Sequence, residues 1–565
     1  MKKMLALVLA VLMLLTLAAC AKAPASSAPT ESKTESQTES KEEKTYYNKT
    51  GMPICDDVIT ISCTGNEAYG PWSESMGLAF LEETTGIRLD CQSYNKETWN
   101  TQFTLMMSNN SLPDVIFAGF LNRADVNQWG EQGLFVNMLD YAELMPNMMA
   151  YRERETAAAA YETAPDGGVY GITMVRTTDR FCINDGTFIN LKWLKAVNKE
   201  VPTTADELLD VLRAFKAQDA NGNGNPNDEI PVSFNDASGF RLNWILRAGF
   251  GIYSTNNDFL PQADSNGKIY LADTSDAYKD YLKLLHTMFA EELLDNTCFM
   301  QTDDEFMQKT KSDQVGLWTS WNGIKGSTGR TDAELWTDYA MYAGFTTEYT
   351  DEIIFPLYIK AAEGARTLIN AKSKYVEAAC RLIDWGLYST EGSTQWNNGK
   401  EGVTFEYIDD GHGNQVVNSD KFADLKTYSS VLMWIQYKVM LPGNAGGCAP
   451  SITDEVVTNM TDAELQKMVD DNDPTYANDA WLELFVRNNR CEECFPFLVF
   501  TAEERDARST KQSDMAEYIK TMRVAFINGT KDIDAEWDSY CAQLKAMGAD
   551  EVIAIYQAAY DRYKG

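Results

Sequence analysis

The sequence predicts an α/β protein, rich in helix and built as two lobes, and three observations carry that expectation. First, the N-terminal part of the body alternates strand and helix. A β-rich run, Val58 to Cys63, ends in Thr64-Gly65-Asn66, and a helical pattern from Ser73 to Thr85 is closed by Gly86. Ile87 to Cys91 reads as a second strand. Trp99 to Met107 reads as an amphipathic helix stopped by Ser108-Asn109-Asn110, and Pro113 to Ala118 as a third strand ending at Gly119. Strand, helix, strand, helix, strand is a βαβαβ unit, whose sheet is parallel and covered by helices. Second, the chain from Tyr46 to Gly565 is too long for one simple core. Third, helical patterns dominate after Asn184. They begin at Leu191–Leu194 and continue from Ala205 to about Ala217 behind the cap Pro202-Thr203-Thr204, with further ones near 274–294, 374–389, 462–470, 512–526 and 546–563. No internal repeat interrupts them.

A parallel sheet places its ligand crevice beyond the carboxyl ends of the strands. Here those ends are Gly65-Asn66-Glu67-Ala68-Tyr69 and Gly119-Phe120-Leu121-Asn122.

The extreme N-terminus reads as an export signal. Lys2 and Lys3 precede an apolar run from Met4 to Ala19, shorter than the roughly 20 residues of a spanning helix. The run ends in Leu17-Ala18-Ala19-Cys20, which resembles the bacterial lipobox. The resemblance implies a signal peptide over 1–19 and a diacylated Cys20 that anchors the mature chain on the extracellular face of the cell membrane. From Ala21 to Thr45 the chain is almost entirely Ala, Pro, Ser, Thr, Glu and Lys, so 20–45 is expected to be a flexible leash.

Composition narrows the function. A net charge of −34 repels phosphate backbones and anionic lipid heads, which argues against nucleic acid and against any membrane contact besides the lipid. It weighs more weakly against a polyanionic ligand. Of the 11 cysteines, ten remain after Cys20, with no small-domain spacing. Cys491-Glu492-Glu493-Cys494 is a lone pair, read as a local disulfide or free thiols in preference to a zinc or redox site. The two histidines, His286 in a helical pattern and His412 in a turn, accompany no nucleophile motif.

One motif is chemically sharp. In Asp219-Ala220-Asn221-Gly222-Asn223-Gly224-Asn225-Pro226-Asn227-Asp228-Glu229, oxygen-bearing side chains recur at every second position, with glycines allowing a tight turn. That alternation aims several oxygens at one centre, as a hard cation with six to eight oxygen ligands requires. Asp219, Asn221 and Asn223 are expected to ligate through side chains and Asn225 through its carbonyl. The pair Asp228 and Glu229 supplies further charge. Position twelve is Ile230, so the loop is not an EF-hand proper, and a structural Ca2+ clip is expected.

Trp193-Leu194, Pro202 to Leu208, Phe215-Lys216 and Asp219 to Pro231 together resemble the family 1 extracellular solute-binding proteins. More narrowly, they resemble a large calcium-containing branch that includes alginate-binding proteins. Gln102-Phe103, Leu112-Pro113-Asp114, Asp166 to Gly171, Phe497 to Glu504 and Tyr556 to Tyr563 agree with it. The loop departs from the common family form by an extra residue near Asn225-Pro226-Asn227. It stays open which of Asn225 and Asn227 reaches the ion, and which of Asp228 and Glu229 grips it with both oxygens. The resemblance implies a type II periplasmic-binding-protein-like fold, each lobe a mainly parallel sheet flanked by helices, with a helix-rich C-terminal part. Lobe 1 would combine 46–180 with 351–400, and lobe 2 would combine 181–350 with 401–565. It implies a monomer that captures an oligosaccharide between the lobes and delivers it to ABC permease subunits.

Aromatic faces and hydroxyl partners for such a sugar are sought in irregular segments. Tyr69 and Trp72 follow the first strand, and Trp244 follows Arg241 and Asn243. Trp318 and Trp321 lie in a Gly/Ser/Asn context, and Trp396 lies near an expected crossing. Asn66, Glu67, Asn122 and Asp185 are the candidate hydroxyl partners. The acidic surface favours a neutral sugar. The alternatives are a lipoprotein that binds a peptide or signals to a sensor and, less favoured, a glycoside hydrolase or lyase, for which no particular carboxylate pair is marked.

Overall fold

The computed structural model describes residues 45–67, 71–173, 178–183, 186–234, 242–254, 256–298, 300–320, 323–358, 364–418 and 452–564. The expected leader, Cys20 and nearly all of the leash lie outside them. No helix of the described residues is long and apolar enough to cross a membrane. Tyr46–Gly565 is one compact unit.

Two four-stranded sheets organise it. In chain order the strands are β1 (Ile59–Asn66), β2 (Ile87–Tyr94), β3 (Val115–Phe117), β4 (Gly186–Asn190), β5 (Ile230–Ser233), β6 (Val315–Ser320), β7 (Tyr339–Met341) and β8 (Leu368–Ile369). The first sheet runs β8-β3-β1-β2, with β1 parallel to both β2 and β3. The βαβαβ unit read from the sequence is thus present, its helices at Gly77–Thr85 and Lys96–Ser108. Gly86 ends the first helix at φ 71°, and Asn95 opens the second by accepting the Thr98 N–H. The strands run longer than their apolar cores because β1 and β2 stay in register as far as Asn66 and Tyr94.

The second sheet, β5-β6-β4-β7, departs from the mainly parallel arrangement expected. Only β5 and β6 are parallel; β4 lies antiparallel to both β6 and β7. Helix Ala205–Ala217 covers it, opened by a reciprocal capping box between Thr204 and Glu207. The long C-terminal helices Ala502–Ile527, Ile533–Ala546 and Ala549–Lys564 pack around the same core.

Burial follows the sheets. One core joins Ile61, Cys63, Leu81, Val115, Phe117, Ile369 and Ile383, and a satellite of Trp99, Phe103, Ile116 and Val126 covers the sheet's other face. Both faces of β3 are therefore dry, as expected of a largely parallel sheet. The larger core joins Phe188, Trp193, Leu208, Phe215, Val232 and Leu317 to Phe355 and Leu357, and then to the C-terminal helices.

Two of the proposed sugar-contacting residues belong to these cores, which corrects the sequence reading. Trp318 is 1% exposed because β6 is buried on both faces; its ring packs between Phe188 and Tyr339, at 5.8 and 5.4 Å. Trp396 is 2% exposed. Its segment forms the helix Thr390–Asn398, not a loop, and the ring packs on Gly386 and, at 5.4 Å, on Phe117.

Cys63 and Cys91 face each other in register across β1 and β2 and form a disulfide spanning 28 residues of sequence. The Cys491-to-Cys494 pair does not close on itself. Residues Cys491–Glu493 form a short strand beside Phe355–Leu357, and burial pushes the two thiols up to about 11 and about 12.

Reducing Cys63–Cys91, or replacing both with Ala, is expected to cost about 3.5 kcal/mol by releasing the closed loop in the unfolded chain. Circular-dichroism melts with and without reductant read this, and two titratable thiols in native protein of unchanged melting temperature would refute it. Trp318→Ala is expected to lose about 3–5 kcal/mol in urea unfolding, as a large core truncation does. A variant of wild-type stability that has lost ligand binding would return Trp318 to the site.

Candidate functional site

Beyond the carboxyl end of β3 the chain makes two unusual turns, with Ala118 at φ 46° and Phe120 at φ 49°. It is then held by Asn122, whose Oδ1 accepts from the Ala124 and Asp125 N–H groups and caps the helix Arg123–Glu131. Arg123 turns inward. Its guanidinium donates to the Gly171 carbonyl and lies 5.3 Å from the centre of the Tyr161 ring. Beside it sits Glu162, fully buried, which accepts from Arg152 at 3.0 Å and from the Thr173 N–H at 2.8 Å. Burial raises the Glu162 pKa while the charge of Arg123 pulls it back down. This wall rests on the first core.

The facing wall is the irregular segment 495–500, with Phe500 edge-on to Tyr556 at 5.0 Å. Arg508 lies flat over Phe500 at 3.8 Å, and burial lowers its pKa. Arg505 ties the two walls together through Asp125, at 2.6 Å, and Gln128, at 2.8 Å. Between the walls lies a cavity of about 260 Å³ lined by Asn122, Arg123, Tyr161, Asn256, the 495–500 segment, Arg508, Gln512 and Tyr556. Among the described residues its lining includes no Asp, Glu, His, Cys or Ser. It offers aromatic faces, amides and two guanidinium groups, and no nucleophile–base pair.

Of the residues read from the sequence, Asn122 lines this cavity. Trp244 adjoins it: the ring is buried and stacks on Tyr358 at 5.7 Å, and Tyr358 in turn meets Phe497 at 6.5 Å. Asn66, Glu67 and Trp72 are not in the cavity lining and lie at and just past the carboxyl end of β1. There Glu67 accepts from the Ser93 hydroxyl at 2.5 Å, and the Trp72 N–H donates to the same hydroxyl. Trp72 is buried against Gly65, which leaves it little face for a ligand. Tyr69, Asp185, Arg241 and Trp321 lie outside the described residues, as does the side chain of Asn243.

The lining segment Phe495-Pro496-Phe497-Leu498-Val499-Phe500 went unassigned as a site. Its signal was present: an apolar run broken by proline can complete neither a helix nor a central strand, so its rings must face something else.

The loop after helix Ala205–Ala217 has the winding expected of a cation clip. Gly222 and Gly224 stand at φ 70° and 87°. Asp219 accepts from the Asn223 and Gly224 N–H groups, Asn221 from Asn223, and Asn223 from Asn225. Asp228 is engaged by the Asn223 amide at 2.8 Å. Glu229 is 5% exposed, and neither of its carboxylate oxygens has a well-formed hydrogen bond. Burial, with repulsion from Asp228 and Asp219, raises its pKa. A buried carboxylate left in this state wants a cation, so the donor set fits a hard, oxygen-liganded ion. Among the described residues no group of three or more His, Cys, Asp or Glu side chains forms a site of its own. Any ion here would lean on the asparagine oxygens and carbonyls.

Comparison with known proteins sets these features in context. The chain is 27% identical over 511 residues, 87% of its length, to the fructooligosaccharide ABC transporter substrate-binding protein FusA of Streptococcus pneumoniae, covering 88% of that protein. The FusA structure in complex with kestose superposes with a TM-score of 0.68 at 24% identity, over 90% of this chain and 99% of that one. An HMO-binding solute-binding protein from Bifidobacterium longum infantis gives 0.71 at 22%, over 90% and 99%. The alginate-binding protein AlgQ2, solved without calcium ion, gives 0.64 at 22%, over 90% and 98%. These likenesses establish the α/β fold. Residues 76–403 match the family model described as bacterial extracellular solute-binding protein, and the chain belongs to that family.

Proposed function

We propose that this protein captures an oligosaccharide between two lobes and delivers it to an ABC permease. The observation that carries the reading is the cavity, whose described lining presents aromatic faces and amides and holds no acid. Sugars expose CH-rich faces that pack on rings and hydroxyls that pair with amides, so the lining suits them. FusA, by its name a fructooligosaccharide-binding transporter component, supports the same class. The lobes would follow the cores: 46–180 with the later part of 351–400, and 181–350 with 401–565. The return would fall between Leu357 and Ala365, since Phe355 and Leu357 pack in the larger core.

The sugar is neutral in this reading. The strongly acidic chain, at −34, weighs against an anionic ligand, and the Arg123 and Arg508 guanidinium groups in the lining can donate to sugar hydroxyls. Among the described lining residues there is no carboxylate pair of the kind used in glycoside hydrolysis, and binding is expected without turnover. Residues 1–19 would direct export, and Cys20 would carry the lipid that holds a monomeric receptor beside its permease on the outer face of the membrane.

A structural Ca2+ would sit in the 219–229 loop, held by the side chains of Asp219, Asn221 and Asn223 and by a main-chain carbonyl at Asn225. Glu229 would be the two-oxygen ligand, because it is the more deeply buried of the two carboxylates while Asp228 is engaged by the Asn223 amide. The ion would neutralise the buried carboxylate and fix the turn between helix Ala205–Ala217 and β5.

Two measurements test this reading. Purified protein incubated with kestose, fructo-nystose and a wider glycan panel is expected to melt several degrees higher with at least one neutral oligosaccharide and to release no products. Cleavage products would overturn it, and a response to peptides alone would replace sugar by peptide. Chelation is expected to lower the melting temperature and Ca2+ to restore it. An unchanged melt in protein shown by elemental analysis to be metal-free would remove the ion.

A further inference from the structure

Phe120 is an exposed aromatic residue just past β3, two positions before the cavity-lining Asn122, and its setting is expensive to build. It follows the buried residues Val115 to Ala118 and precedes buried Leu121, yet it is itself 40% exposed. Both Ala118 and Phe120 occupy the left-handed region, at φ 46° and 49°, where residues other than glycine are strained. The strain is held by a clamp of main-chain hydrogen bonds to the returning segment. Gly119 N–H donates to the Arg366 carbonyl at 2.8 Å, Leu121 N–H to Ala365 at 3.0 Å, and Ala365 N–H back to Leu121 at 2.7 Å. The Trp99 indole adds a bond to the Gly119 carbonyl at 2.6 Å. Gly364, at φ 84°, completes the clamp, since a Cβ there would stand 3.1 Å from the Leu121 oxygen.

The side chain is fixed as firmly as the backbone. The guanidinium of Arg366, 7% exposed, lies over the Phe120 ring at 3.7 Å from its centre. A cation stacked at that distance holds the ring in one orientation and covers one face. The structure thus places a rigid, half-covered aromatic ring two residues before Asn122, which lines the cavity. Strain and an exposed apolar ring both cost stability, and they persist where the surrounding structure over-determines them, which is characteristic of ligand clamps.

We infer that Phe120, backed by Arg366, is a stacking platform for one sugar ring of the bound oligosaccharide, with Asn122 as the adjacent hydroxyl partner. The inference rests on the oligosaccharide reading above and names a contact surface for it. A ring already immobilised by Arg366 loses little freedom on binding, so the contact comes at low entropic cost. Covering Arg366 would need the ring's bulk only. Stacking a sugar needs an aromatic plane, and substitution separates the two roles.

The test uses the full extracellular chain and isothermal titration with whichever of kestose and fructo-nystose the wild type binds. Phe120→Leu keeps apolar cover over Arg366 and is expected to weaken binding about tenfold or more. Phe120→Tyr is expected to restore affinity to within about twofold, with both melting temperatures close to wild type. Equal affinity of Phe120→Leu and wild type would overturn the platform while leaving the oligosaccharide reading standing. A Phe120→Tyr variant as weak as Phe120→Leu would also overturn it. Failure of the wild type to bind either sugar, or any glycan of the panel, would overturn the parent reading and the platform with it.

Discussion

The structure depends on the return of the chain to its first sheet. β1, β2 and β3 come from one continuous stretch, but the sheet is finished by β8, which arrives only after the chain has built most of the larger core. β8 pairs antiparallel with β3, and isolated bridges at Leu121–Ala365, Phe135–Asn370 and Ile172–Thr367 extend the same seam. The first core is therefore completed by residues separated from it by some two hundred positions, so the chain must cross between cores at least twice. That requirement brings the two cores together and puts Asn122, just past the β3 exit, at the cavity.

Elements set by local sequence were legible before any coordinates. The βαβαβ unit, the Thr204–Glu207 capping box and the Gly86 helix stop are written in spacing and cap chemistry, and they appear where the residues place them. Elements set by distant partners were not. The antiparallel placement of β4 depends on β6 and β7, more than a hundred residues away, and nothing in Gly186–Asn190 encodes direction. The Cys63–Cys91 pairing became visible only once β1 and β2 were in register, because two strand cysteines carry no framework spacing.

The same distinction governs the site. Trp318 and Trp396 sit among glycine, serine and asparagine, a composition that reads as loop, yet tertiary burial on both faces of β6 and the helix Thr390–Asn398 draws both rings inward. Phe495–Phe500 reads as apolar packing, yet it forms a cavity wall because Pro496 denies it regular structure. Tryptophan content and loop-like neighbours are poor guides to a sugar-contacting face. A better guide is an aromatic whose backbone or neighbours spend stability to hold it, and at Phe120 that signal is φ, which no sequence displays.

Charge ties these observations together. The chain carries −34, while the described residues of the cavity lining include no carboxylate. A generally acidic surface repels anionic lipid heads and phosphate backbones. An acid-free pocket avoids forcing carboxylates to desolvate when a ligand enters, a cost that grows as water leaves. Where carboxylates are buried, each is tied to a structural task. Glu162 is answered by Arg123 and Arg152, and Asp384 accepts from Asn147 and the Met148 N–H. Glu229 is the buried carboxylate whose surroundings, Asp219, Asp228 and asparagine oxygens, supply no positive charge from the protein. The cation proposed for the 219–229 loop would supply that charge, whereas the uncharged guest proposed for the cavity would ask for none.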